Sequence, residues 1–175
     1  MFTKNFAMFL LALFSKNPSS FKVKTINGNN VNIVSSTSEY NEVVPWQPTG
    51  SIGSSYHSRR VFEVGTGTTP PTIDDYQVES YVSDILGVYT VSVFLSNDDV
   101  ASCEFNVTFT NSGSVSHTVT EYTWMLDTST YSSGSADRNN GFVCYRGLFS
   151  EPITIEAGTS FNFNFVERIP LNITL

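Results

Sequence analysis

Charged side chains are scarce in this sequence, and basic side chains are the scarcest. Charged residues make up 14% of the 175 positions, and nine Lys and Arg stand against sixteen Asp and Glu, which gives a formal net charge of −7. Proteins that bind nucleic acid present clustered Lys and Arg to the phosphates, whereas the only close basic pair here is Arg59-Arg60. We therefore expect neither direct nucleic-acid binding nor electrostatic attachment to anionic lipid.

Cysteine and histidine, the usual ligands of zinc, are equally rare. The chain has Cys103, Cys144, His57 and His117, and their spacing does not match a zinc site. We expect no metal and no cofactor. The two cysteines form one disulfide or remain as two buried thiols, and we favour buried thiols because an unpaired cysteine packs as a small hydrophobe.

Signatures of catalysis are missing as well. His57 lies in a polar loop and His117 in a strand among Ser and Thr, and no Gly-x-Ser-x-Gly sequence supplies a nucleophile. Gly65 and Gly67 suggest a phosphate loop, but no Lys follows them and Pro70 stands where a dinucleotide fingerprint has its third glycine. We interpret this stretch as a turn and predict that the protein is not an enzyme.

No apolar run is long enough to cross a membrane. The longest, Phe6 to Phe14, has nine residues, whereas a bilayer requires about 20. This run resembles the core of a signal peptide, but no small-residue cleavage site follows it. We therefore expect a short docking segment over residues 1–20 that packs on its own domain or on a partner. It is helical or extended, and we favour a helix ended by Asn17-Pro18. The predicted docking residues are Phe2, Phe6, Phe9, Leu10, Leu13 and Phe14.

Aromatic residues and alternating patterns are abundant. The chain contains 14 Phe and 8 Tyr, and apolar residues alternate with polar ones in about eight short stretches, as in half-buried strands. In the clearest stretch, 101–110, Phe105 and Val107 face one way. Short strands separated by turns predict that residues 21–175 form an all-β domain, an antiparallel β-sandwich of immunoglobulin-like or jelly-roll type. We expect Phe105, Val107, Phe161 and Phe163 to face one another across that sandwich.

Three local features refine this prediction. Asn27-Gly28 lies between two alternating stretches and indicates a hairpin turn. Residues 115–126 are predicted to pair back on 101–110, with a β-bulge near Thr120-Glu121 because the alternation changes parity there. The sequence Thr72-Ile73-Asp74-Asp75 is predicted to cap one helical turn.

Large aromatic residues also occur in polar loops. Trp46 lies in a polar stretch punctuated by Pro and Gly, and Tyr56 and Tyr131 lie in Ser-rich stretches. Such residues stack on sugars, anchor an interface, or fold back over the end of the domain. We regard them as candidate contact residues.

One stretch resembles a known class of proteins. Residues 61–79 read VFEVGTGTTPPTIDDYQVE and are similar to a segment of tailed-bacteriophage minor structural proteins. In that segment a strand leads to Gly-Thr-Gly-Thr-Thr. Pro or Ala followed by Thr comes next, then Asp with a small residue or Tyr, and finally Leu or Val followed by Glu. Residues 148–169 resemble the end of the same modules, and Glu121-Tyr122 also fits. Val78 departs from the more usual Leu. The likeness covers a quarter to a third of the chain.

This resemblance implies a location in the virion, and the matching segments carry no catalytic signature. The implied function is assembly with other virion proteins in a phage head, connector or tail, and virion parts are commonly symmetric homo-oligomers. The alternative is a carbohydrate-binding or adhesin-type β-sandwich, for which the aromatic loop residues would supply the contacts.

Overall fold

The computed structural model describes residues 1–14, 21–32, 62–95, 100–126 and 141–170. One helix and eight strands lie in these ranges. They are α1 (Lys4–Phe14), β1 (Lys22–Lys24), β2 (Asn30–Asn32), β3 (Phe62–Gly65), β4 (Ile85–Leu95), β5 (Val100–Asn111), β6 (His117–Leu126), β7 (Phe142–Ile155) and β8 (Ser160–Pro170). The prediction of a mostly antiparallel β protein with a short N-terminal helix is confirmed.

Six strands form one antiparallel sheet in the order β7-β6-β3-β4-β5-β8, and β1 and β2 form a separate hairpin. The hairpin predicted at Asn27-Gly28 is confirmed, and Gly28 has a φ of 86°. Glycine suits this turn because it adopts positive φ without a steric penalty.

The large sheet is curled into a half-barrel. β7 and β8 lie at opposite ends of the strand order, yet a turn of only four residues, 156–159, joins them. The aromatic side chains of these two strands also meet, with ring centroids 4.7 Å apart for Tyr145 and Phe165 and 5.1 Å apart for Phe149 and Phe163. The predicted β-sandwich is therefore not confirmed. Strand alternation distinguishes an inner from an outer face, but it does not specify whether two sheets or one curled sheet enclose the core.

The core fills the concave face of this sheet. Its buried aromatic residues include Phe62, Phe105, Phe109, Tyr122, Trp124, Phe142 and Phe165. Phe62 lies where β3 meets β4, and in the described residues Phe62 and Gly87 form the one register pair between these strands. A Cβ on Gly87 would lie 2.8 Å from the Phe62 carbonyl oxygen, so glycine permits the close approach of these two strands.

The expectation for the facing core residues is half right. Phe105 and Val107 are buried, whereas Phe161 and Phe163 are only half-buried. These residues do not face one another across two sheets, because β5 and β8 are neighbouring strands and Val107 pairs with Phe163. Residues in one register row of a sheet point to the same side of it.

The predicted pairing of residues 115–126 with 101–110 is wrong. β6 pairs with β3 and β7, and in the described part of the sheet no residue of β6 pairs with β5. The predicted bulge is confirmed, since the β6–β7 register shifts between Val119 and Glu121.

The N-terminal segment packs on its own chain. Thr3 N–H donates to the Cys144 carbonyl at 2.9 Å, which continues the sheet beyond β7. Phe2, Phe6 and Phe9 pack against the core, and the ring centroids of Phe6 and Trp124 are 5.6 Å apart. No helix in the described residues is long and apolar enough to cross a membrane.

Leu10, another predicted docking residue, is not part of this packing. Leu10 is 37% exposed, and its neighbour Leu11 is 52% exposed. The side chains of Leu13 and Phe14 lie outside the description. Docking of this face on a partner stays a prediction.

Candidate functional site

A buried arginine on β7 is the centre of the most strongly interacting polar cluster described. Arg146 is 2% exposed, and its neighbour on β6, Glu121, is fully buried. Residues 66–80, which we call the strap, connect β3 towards β4 and cover both side chains. The strap contains most of the stretch that resembles phage structural proteins.

Each nitrogen of the Arg146 guanidinium has an oxygen partner. Nε donates to Glu121 Oε2 at 2.7 Å, and Nη1 donates to Asp75 Oδ2 at 2.8 Å. Nη2 donates to the Thr69 carbonyl at 3.2 Å and lies 3.7 Å from Glu79 Oε2. The planar group thus binds β6 on one side and the strap on the other, a geometry that the rigid fork of donors in arginine favours.

The second oxygen of Glu121 binds the strap backbone directly. Glu121 Oε1 accepts hydrogen bonds from Gly67 N–H at 3.0 Å and Glu79 N–H at 2.9 Å. Thr120 Oγ1 donates to the Gly67 carbonyl at 2.6 Å. A Cβ on Gly67 would lie 2.5 Å from Glu121 Oε1, so this glycine lets the strap approach the carboxylate. The bulge before Glu121 and the strap glycine therefore serve one contact.

The middle of the strap makes further contacts. Asp75 accepts hydrogen bonds from the Thr72 N–H at 2.8 Å and the Thr72 hydroxyl at 2.7 Å. These are the hydrogen bonds of the predicted cap, but the residues they join form an isolated turn and not a turn of helix. Lys4 N–H donates to the Ile73 carbonyl at 2.7 Å, and Lys24 Nζ lies 3.8 Å from the Tyr76 ring centroid. The strap therefore joins α1 and the small hairpin to the large sheet.

The charges stabilise one another. Burial alone would raise the pKa of Asp75, but hydrogen bonds from Arg146 and Thr72 and the charge of Arg146 lower the pKa overall. The hydrogen bond from Thr69 is the main cause that lowers the pKa of Glu79. Burial opposes the charge of Arg146, and its hydrogen bonds to Asp75 and Glu121 outweigh this effect and raise its pKa. The guanidinium of arginine stays protonated in proteins, so Arg146 provides a permanent positive charge among these carboxylates.

Acid should weaken this cluster. The pKa of Asp75 lies below its ordinary value of 3.8 and that of Glu79 below 4.5, so the folded state binds fewer protons than the unfolded chain. The contribution of these groups to stability is therefore complete above those ordinary values and decreases as the pH falls through the lowered ones. Urea midpoints measured from pH 7 to pH 3 should decline below about pH 4, and more steeply than in Asp75→Asn. Equal acid dependence of the two proteins would contradict this assignment.

His117, a candidate that the structure describes, lies outside this cluster. His117 Nε2 lies 3.4 Å from Asp84 Oδ2 at the start of β6, and both side chains are partly exposed. Cys144 is buried in β7, and the side chain of Cys103 lies outside the description. His57 and the loop residues Trp46, Tyr56 and Tyr131 lie outside the described residues. Within the described ranges, no group of three or more His, Cys, Asp or Glu is arranged to hold a metal ion.

Sequence reasoning did not single out Arg146 or its pairing with Glu121. A signal was present, because each is a lone charged residue within an apolar strand sequence, GFVCYRGLF and EYTWML. Charged residues in such places are seldom fully buried unless they are paired.

Comparisons of the chain with protein-family models, with curated proteins and with solved structures found no match. The likeness of residues 61–79 to tailed-phage structural proteins therefore stays a prediction. Function has to be inferred from the residues and contacts of this chain.

Proposed function

We propose that this protein is a non-enzymatic structural part of a bacteriophage particle, a β-domain that joins neighbouring proteins in the head, connector or tail. The observation that supports the proposal most is the set of contacts that residues 61–79 make with the large sheet. The carboxylates of Asp75 and Glu79 contact Arg146, and the N–H of Gly67 binds Glu121. The conspicuous groups of this stretch hold the fold together, as expected of a structural module rather than a catalytic one.

The outer side of α1 supplies a surface for a neighbouring protein. Phe6 and Phe9 pack inward, and Leu10 and Leu11 are 37% and 52% exposed. Adjacent exposed leucines on a helix that is already docked favour a protein contact at this position. The low charge of the chain fits partners that are proteins rather than nucleic acid.

Quantitative mass spectrometry of purified particles tests the proposal. The particles are those produced by the genome that encodes this chain. The protein should be present at a constant copy number that matches a ring or trimer symmetry. Absence from the particles would contradict the proposal, and specific binding on a glycan array would support the carbohydrate-binding alternative.

A matched pair of variants tests the helix surface. Leu11 is 52% exposed and Val115, in the turn between β5 and β6, is 56% exposed. Leu11→Asp should reduce incorporation into particles, whereas Val115→Asp should not, although each adds one charge at an exposed apolar position. Equal incorporation of the two folded variants would exclude α1 as the contact surface.

A further inference from the structure

One edge of the large sheet is unoccupied in the described structure. β8 pairs with β5 along its whole length, from Thr110 and Ser160 to Val100 and Pro170. It is the last strand in the sheet order, and no strand of the described residues pairs with its other edge. An edge strand presents a row of unpaired backbone N–H and carbonyl groups, which is a template for another strand.

The opposite edge of the sheet is treated differently. Beside β7, the N-terminal residues continue the sheet, because Thr3 N–H donates to the Cys144 carbonyl and Arg146 N–H donates to the Met1 carbonyl at 3.1 Å. This covering limits access to the first part of β7, at residues 144–146.

The first part of β8 lacks the residues that commonly protect an edge, whereas Glu167, Arg168 and Pro170 lie towards its end. Residues 160–166 read SFNFNFV, with no charge, no proline and no glycine. Natural edge strands usually carry a lysine, a proline or a bulge that prevents pairing, and the β5–β8 register runs without a shift. A neutral alternating sequence of this kind pairs readily with other strands.

The sequence of β8 is complementary to itself in the antiparallel direction. Residues 161–165 read Phe-Asn-Phe-Asn-Phe, which is the same in both directions. When two copies pair about Phe163, Phe161 lies opposite Phe165 of the second copy, and Asn162 lies opposite Asn164 of the second copy. Within these five residues, every apolar residue thus meets an apolar one, as a two-fold symmetric interface requires.

The faces of the strand fit the same arrangement. The rings of Phe161 and Phe163 are half-buried on the concave side, where Phe149 contacts both. A strand beside β8 would add its own phenylalanines to this row and cover more of the two rings. Asn162 and Asn164 are exposed on the outer side, where an added strand extends a row of amides.

We propose that the free edge of β8 pairs antiparallel with β8 of a second copy of this chain, about a two-fold axis at Phe163. The pairing joins two six-stranded sheets into one continuous sheet. It is independent of the virion location, because it follows from the edge and the sequence of β8 alone. Loss of the dimer would therefore leave the virion proposal standing.

Two double variants of the full-length chain test the pairing and its register. In N162K/N164K, a lysine lies opposite a lysine of the second copy at both positions. In N162K/N164E, each lysine lies opposite a glutamate of the second copy. Both variants lose the same side-chain hydrogen bonds, those of Asn162 with Thr108 and of Asn164 with Asn106 and Glu104. Residue 164 also lies beside Glu104 of its own chain, so the contact across the two-fold axis is read from the dimer dissociation constant and not from the stability of each chain.

Sedimentation equilibrium over a range of concentrations gives the dimer dissociation constant of each protein. The wild-type chain should dimerise. The dissociation constant of N162K/N164K should be higher by roughly tenfold or more, and that of N162K/N164E should stay close to the wild-type value. The control V88K/T90K adds the same charge to exposed outer positions of β4, away from the edge, and should dimerise like wild type. Circular dichroism checks that all four proteins are folded.

Three results would overturn the proposal. A wild-type chain that remains monomeric at every concentration would exclude the second copy and leave the edge to a strand of another protein. Equal weakening of the two double variants would exclude the register about Phe163. A dimer unaffected by any of the substitutions would place the interface on another surface.

Discussion

Arg146→Ala is expected to lower the free energy of unfolding by about 3–5 kcal/mol, the usual cost of removing one partner from a buried ion pair. The substitution leaves the fully buried carboxylate of Glu121 without its cation and removes the donor to the Thr69 carbonyl. An uncompensated buried charge costs more than the lost attraction, because the carboxylate has no water to replace the arginine. Urea or guanidinium unfolding of the variant and the wild-type chain measures the difference.

Two further variants separate charge from geometry. Arg146→Lys keeps the positive charge but cannot reach Glu121, Asp75 and Thr69 at once, so an intermediate loss is expected. Glu79→Gln should cost much less than Arg146→Ala, since Glu79 is 36% exposed and 3.7 Å from the guanidinium. An Arg146→Ala protein as stable as wild type would show that the cluster does not hold the strap to the sheet.

Phe62→Ala should also cost about 3–5 kcal/mol, the range measured for truncation of buried phenylalanines. Phe62 is 1% exposed, and its ring centroid lies 5.5 Å from that of Phe105 and 5.7 Å from that of Tyr89. In the described residues, Phe62 and Gly87 form the one register pair between β3 and β4. The ring therefore supplies packing at a place where the described pairing of these two strands is short.

Phe163→Ala is the matched comparison for this variant. The same atoms are removed, but Phe163 is half-buried at the edge strand, so a smaller loss than for Phe62→Ala is expected. Chemical denaturation of the two variants under one condition gives both values. A loss below about 1 kcal/mol for Phe62→Ala would mean that the centre of the core lies elsewhere.

Local features of the fold could be predicted from the sequence. The turn at Asn27-Gly28 and the parity of Phe105 and Val107 depend only on neighbouring residues, since φ preference and strand alternation are local properties. The bulge near Glu121 was predictable for the same reason, because a change of parity within a strand requires an extra residue.

The pairing of β6 was not predictable in this way. The short connection after Asn111 favours a hairpin with β5, but β6 lies beside β3 instead. This placement brings Glu121 to the Gly67 and Glu79 amides. The residues near Asn111 do not encode that contact, because Gly67 and Glu79 are each more than forty positions from Glu121 in the sequence.

The candidate site was hidden for a similar reason. Asp75 and Arg146 are 71 positions apart, and Glu121 lies between them in the sequence but on a different strand. The resemblance proposed for residues 61–79 stays a prediction, and it does not indicate what these residues contact. The sheet brings these charges together, and the strap then completes the set of hydrogen bonds.

Native-state hydrogen exchange at the amides of Gly67 and Glu79 tests most directly whether the strap is a fixed part of the β-domain. Both amides donate to the buried Glu121 carboxylate. They should exchange as slowly as amides in the middle of β6, since a buried bonded amide exchanges only when the structure opens. In Arg146→Ala, the protection of both amides should fall more than that of β4 and β5. Rapid exchange of both amides in the wild-type chain would contradict the account, because the strap would then be an open loop that the Arg146 cluster does not hold.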